Sequence, residues 1–171
     1  MSGEQAEKFA KTNFFPESNP PDLSPGSYDG MDWGDIRQLL DAGHSVGGHT
    51  LTHSNLCLLE ADELNQEIVL SADHLEHKLS IVINQFAYPF GALKQVNLAA
   101  FKQASGRFNI CYSNIRGMLK ENFGVHFIYR QNIVPGMPFW LVKAAVEGRM
   151  DWWYSASRKK ASSLARAAIK I

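Results

Sequence analysis

The stretch GHSVGGHTLTHSNLCL, Gly43 to Leu58, decides how the rest of the chain is read. His49 and His53 stand four residues apart behind a Gly-Gly step, with the hydroxyl residues Thr50, Thr52 and Ser54 around them. Zinc and similar divalent ions take neutral imidazole nitrogens, and a catalytic site uses about three protein ligands with one position left open. Two histidines are therefore a part of such a site, and a pair at this spacing can also be structural. Upstream, Met31 to Ala42 carries Trp33, Ile36, Leu39 and Leu40 at helical spacing, with Asp32 placed as N-cap and Gly43 as the stop. Ser45 to Gly48 are small or apolar, as a buried strand requires. His49 then falls at the C-terminal end of that strand, the edge where open α/β sheets and α/β barrels place their ligands.

Working outward, Glu60 to Leu79 places Leu64, Ile68, Leu75 and Leu79 along one stripe of a helix. His74 and His77 lie among charges on that helix, and a solvated face is the simpler reading than a metal site. The β-branched run Ile81 to Ile83 predicts a strand ending in Phe86-Ala87-Tyr88, after which Pro89 and Gly91 shape a loop. Val96 to Ala104 predicts a helix closed by Gly106, and Phe108 to Tyr112 the next strand. This alternation implies an α/β fold with a parallel sheet and crossover helices.

Three segments in this order, GHSVGGHTLTH, FAYPFG (Phe86 to Gly91) and YRQNI (Tyr129 to Ile133), resemble the polysaccharide deacetylases of carbohydrate esterase family four. The resemblance implies a partial, distorted (β/α) barrel that hydrolyses N-acetyl, less often O-acetyl, groups on a polysaccharide or oligosaccharide. It implies His49 and His53 as ligands of a divalent metal, most often zinc. It further implies the Tyr88 backbone N–H as a donor to the oxyanion and a groove at Phe86, Pro89, Phe90 and Gly91. Arg130 matches an arginine that pairs with the catalytic acid in relatives, or, without that acid, is equally read as a surface or sheet-end arginine. The family's Asp-Asp strand end, which supplies general base and third ligand, should precede KFAKTNFFPE (Lys8 to Glu17) and is not present. The expectation is an N-terminally shortened member. Asp29 in SYDGMDW is the acid that could stand in as a ligand, or an ordinary turn aspartate before glycine. A shortened chain could also be inactive and serve as a glycan-binding accessory protein.

Composition sets the outer bounds. Net charge is zero, so nothing marks the chain as a nucleic-acid binder. The two cysteines, Cys57 and Cys111, read as small buried hydrophobes. No run of about 20 apolar residues could span a bilayer, and Met1 to Phe15 lacks a secretory hydrophobic core, so the chain as written is expected in the cytoplasm. Residues 1–150 form the expected deacetylase-like domain, with 1–30 rich in loop formers, and 151–171 a basic amphipathic helix. Phe139 to Glu147 predicts a short helix ended by Gly148. In the tail, Trp152, Trp153 and Tyr154 precede Arg158, Lys159, Lys160, Arg166 and Lys170. Such a helix either closes the fold with a solvated basic face or lies on an anionic membrane surface.

Overall fold

The computed structural model describes residues 30–117 and 125–169. The segment Lys8 to Glu17, the loop formers that follow it and Asp29 lie outside the described residues. The chain divides into two compact units, Met1–Ser45 and Val46–Ile171. In the first, helix α1 (Trp33–Asp41) starts as its sequence requires: the Asp32 carboxylate accepts from Gly34 N and Asp35 N at 2.6 and 2.9 Å, and Asp35 reciprocates onto Asp32 N at 2.9 Å. This capping box satisfies donors that the first turn leaves unpaired. At the other end Gly43, at φ +88°, lets its own N–H and that of His44 turn back onto Leu40 O and Leu39 O.

The second unit begins with the histidine stretch and continues into one long helical segment. Helix α2 (Ala61–Asn65) runs through a π-helical turn (Gln66–Leu70) into α3 (Ser71–Leu79), which ends at Ser80 in the left-handed region. Leu64, Ile68, Ala72 and Leu79 bury the expected stripe, with Leu75 partly buried beside them. Strand β1 (Gln85–Ala87), helix α4 (Leu98–Arg107) and strand β2 (Ile110–Tyr112) follow, and β1 and β2 pair in parallel with Phe86 opposite Cys111. Gly48 bridges to Phe86 on one side and Ile128 to Tyr112 on the other, both parallel. Successive segments thus add to one edge in chain order, each crossover carrying a helix where the described chain allows it to be followed. Beneath them Phe86 stacks on Phe108 at 4.9 Å, and Tyr88 packs on Phe127 at 5.4 Å.

The strands are shorter than expected. Ile81 to Ile83 make no ladder; the Ile83 N–H instead donates to the Glu76 carboxylate at 2.8 Å, and Val82 is 77% exposed. Arg107 completes that corner, bonding Asp73, Glu76 and Ile83 O from the end of α4. Gly106 does not close α4, which continues through it to Arg107. Ser45 to Gly48 contribute one bridge, and the arginine segment near Tyr129 contributes only the bridge at Ile128.

Helix α5 (Phe139–Val146) ends before Gly148 at φ +71°, and a 3₁₀ turn (Asp151–Tyr154) leads into α6 (Ser155–Ile169). Ala161 is part of the core cluster. Trp152 and Trp153 are exposed, but Arg158 departs from the solvated basic face on which its spacing placed it. It is 7% exposed and its guanidinium donates to Arg116 O, because α6 turns this position inward against the segment after β2. Among the described residues no helix is long and apolar enough to cross a membrane.

Candidate active site at the C-terminal ends of the parallel segments

His49 leaves the first parallel segment directly after Gly48. The Gly-Gly step is a matter of space: a Cβ on Gly48 would lie 3.2 Å from the Phe86 ring, and one on Gly47 3.1 Å from Gln85 O. With glycine there, the backbone closes on β1 through Gly48 N–H to Gln85 O and Ala87 N–H to Gly48 O at 2.8 and 2.9 Å. That contact carries His49 to the end of β1, where its Nδ1 lies 2.7 Å from Ala87 O. A carbonyl only accepts, so Nδ1 holds the proton and Nε2 keeps its lone pair in the neutral ring, the arrangement that a metal-binding imidazole uses.

His53 returns to the same place through a strained turn. Thr50 and His53 have φ of 67° and 60°, a region that β-branched and bulky residues seldom enter. The His53 N–H donates to Thr50 Oγ1 at 3.0 Å. The rings of His49 and His53 meet edge to face with centroids 4.9 Å apart, and His53 packs in the same manner on Phe90 at 4.7 Å. Both histidines are exposed.

Glu67, which sequence spacing did not single out, holds this turn. Its carboxylate accepts from Leu51 N, Thr52 N and Thr52 Oγ1 at 3.0, 2.9 and 2.6 Å. Since the Thr52 proton goes to Glu67, Ser54 must be the donor in its 2.6 Å contact with Thr52. Burial pushes the Glu67 carboxyl up, but the hydrogen bonds from Thr52, Leu51 and Thr50 outweigh that and hold it below the ordinary glutamate value. The available signal was local: a cluster of hydroxyls and turn amides needs an acceptor, and Glu67 adjoins the buried position Ile68.

The loop after β1 needs a correction. The Tyr88 N–H donates to Tyr112 O at 3.0 Å and is the last rung of the ladder, so it does not face an oxyanion. The Tyr88 ring is buried beneath the site, where loss of water pushes its phenol above the ordinary range. Phe86 and Pro89 are likewise buried and do not line a groove. Phe90 does face outward, 49% exposed, and among the described residues its N–H has no acceptor. Gly91, at φ +60°, fits where a Cβ would overlap Asn114 N, and Asn114 N–H returns a 3.0 Å bond to Gly91 O.

Arg130 is also reassigned. Its Nε donates to Ser113 O at 2.9 Å and its N–H to Ile115 O at 3.0 Å, while the guanidinium lies 5.9 Å from the Tyr112 ring centre. These neutral partners make it a brace for the end of β2. Beyond it, a cavity of about 220 Å³ is bounded by Ala92, Asn114, Arg116 and Tyr154, with Arg116 Nη1 3.4 Å from the Tyr154 hydroxyl. His74 and His77 are exposed on α3, apart from any cluster: among the described residues no three His, Cys, Asp or Glu side chains gather as a metal-ligand group.

The fold has counterparts among solved structures. The Streptococcus pyogenes deacetylase PplD, solved in complex with acetate, superposes with a TM-score of 0.61 at 21% identity, covering 70% of this chain and 52% of that one. A polysaccharide deacetylase from Bacillus cereus gives 0.58 at 19% identity, with 68% and 36% covered. A de-N-acetylase from Aggregatibacter actinomycetemcomitans gives 0.56 at 13% identity, with 75% and 58% covered. The chain thus spans about half the length of the first of these, and shares with them an α/β fold of partial-barrel type. No curated protein matches it. The family model described as "Polysaccharide deacetylase" matches residues 5–108, more than half of the 171 residues. The chain belongs to the polysaccharide deacetylase family.

Proposed function

We propose that the chain takes part in removing acetyl groups, from nitrogen in preference to oxygen, on the sugars of a polysaccharide, with a divalent metal held by His49 and His53. The observation that carries this reading is the 2.7 Å contact between His49 Nδ1 and Ala87 O, which leaves Nε2 of an exposed imidazole open beside a second imidazole. Two neutral nitrogen donors suit zinc and its neighbours and account for part of a ligand set. Bound there, the ion would supply Lewis-acid polarisation of the acetamide carbonyl and a lowered pKa for water. The chain's own residues do the rest. Ala87 O fixes the His49 tautomer, Phe90 packs on His53, and the Phe90 N–H takes the oxyanion-donor role first assigned to Tyr88. Asn114, Arg116 and Tyr154 offer hydrogen bonds and a ring face to a neighbouring sugar.

The test is zinc binding by calorimetry together with acetate release from an N-acetylglucosamine oligomer, for the wild type, His49→Ala and His53→Ala. Loss of either imidazole should weaken zinc binding by about 10-fold or more. Equal zinc affinity in all three proteins refutes the ligand assignment. Zinc binding and oligomer binding without acetate release would instead establish the glycan-binding alternative.

A further inference from the structure

We propose that Glu67 is the positioning residue of the histidine pair: one buried carboxylate that holds the turn between His49 and His53 and thereby sets the distance between their rings. The role in metal binding rests on the reading of His49 and His53 as ligands, while the clamp itself rests on the turn alone. Leu51 and Thr52 are the residues between the two left-handed positions, and both of their amides end on Glu67 Oε2. The Thr52 hydroxyl ends on Oε1, so both carboxylate oxygens are engaged by the turn. Left-handed conformations are strained, above all at the β-branched Thr50, and persist only where the surroundings over-determine them. The bonds to Glu67 are that determination, because charge-assisted hydrogen bonds are about twice as strong as neutral ones.

The helix is shaped to deliver the group. Glu67 lies in the π-helical turn Gln66–Leu70, and Ser71 Oγ caps its carbonyl at 2.6 Å. Next to it Ile68 is fully buried in the core cluster. The carboxylate is therefore carried by a packed element and not by a mobile loop. π-Turns of this kind recur at functional sites. Without the clamp, the turn can relax towards ordinary backbone angles while the ladder that carries His49, Gly48 to Gln85 and Ala87, stays closed.

Amide hydrogen exchange and zinc calorimetry on the 171-residue protein, wild type against Glu67→Gln and Glu67→Ala, test this. Glu67→Gln keeps the volume and serves if the alanine variant does not fold. The expected result is a loss of protection at Leu51 and Thr52 by about 10-fold or more, with the amides of Gly48, Ala87 and Tyr88 exchanging as in the wild type. The nuclear Overhauser contact between the His53 and Phe90 rings should weaken, and zinc affinity should fall by about 10–100-fold. A merely structural role would lower protection throughout the unit and leave the affinity of the folded protein alone. Wild-type exchange at Leu51 and Thr52, or wild-type zinc affinity in a Glu67 variant whose turn has loosened, overturns the proposal. If His49→Ala keeps full zinc affinity, or the wild type binds none, the ligand reading fails separately. The Leu51 and Thr52 amides and the His53–Phe90 contact then decide the clamp: their loss in Glu67→Gln supports it, and their retention overturns it.

Discussion

The same one-carbon change should move stability in opposite directions at Gly91 and Gly106. At Gly91, φ is +60° and an added Cβ would overlap Asn114 N, lie 2.7 Å from Asn114 Cβ and 3.0 Å from Ser113 C. Left-handed alanine costs about 1–2 kcal/mol, and forcing packed backbone aside adds about 1–3 kcal/mol. The stiffer unfolded chain returns about 0.4–1 kcal/mol. Gly91→Ala should therefore destabilise by about 1–5 kcal/mol, or about 2–20 °C in Tm for a chain of this size. Gly106 sits inside α4 with nothing within 4 Å of its Cβ position. Gly106→Ala should gain about 0.5–1 kcal/mol from helix propensity. Paired thermal melts followed by circular dichroism decide the matter. If both variants shift the same way, or Gly91→Ala melts within about 1 °C of the wild type, then the packing of the FAYPFG loop on Asn114 is not what holds it.

Two further outcomes follow from buried and bonded ionisable groups. Glu67 and Glu76 are both held below the ordinary carboxyl value of 4.5, Glu76 by the Ile83 amide and by Arg107. A depressed folded pKa gives stability that is complete above 4.5 and lost as pH falls through the folded value, so urea midpoints should drop below about pH 4.5 and drop less steeply in Glu76→Gln; an unchanged slope refutes the assignment. Burial pushes the Cys111 thiol up to about 12, while half-buried Cys57 is raised less. In the native protein at about pH 8 a disulfide reagent should label Cys57 slowly and Cys111 only after unfolding; rapid labelling of both would contradict the packing of β2.

What could be read from the residues alone was what local physics decides. Asp32 and Gly43 carry the start and stop of α1 in their own chemistry, and the stripe from Leu64 to Leu79 carries the burial of the long helix. The alternation of helical and extended segments was enough for a parallel α/β arrangement, and three motifs in order were enough for the family resemblance. Strand lengths were not legible, because they depend on which amides find partners across the sheet. Ile81 to Ile83 have the side chains of a strand, but the left-handed residue at Ser80 and the Glu76 carboxylate take the Ile83 amide away from any ladder. Arg158 was misplaced for a related reason: helical spacing says which residues share a face, not which face the protein covers.

The two histidines could be found from spacing, but the groups that position them, and the amide proposed to act beside them, could not. Whether a backbone amide can receive charge depends on where a ladder ends, and FAYPFG does not state it. Here the ladder extends one rung past β1, consuming the Tyr88 N–H. Pro89 has none to give, and Gly91 turns its own back to Pro89 O. Phe90 is what remains, and the left-handed angle of 57° at that residue is part of how the loop presents it. The strained residues Thr50, His53 and Phe90 therefore converge on one edge, each held by a partner supplied by another segment: Glu67 for the histidine turn, Asn114 for the loop through Gly91. Strain concentrated there and braced from outside is what a pre-organised site requires, since a relaxed loop would lose the ring spacing before any substrate arrived.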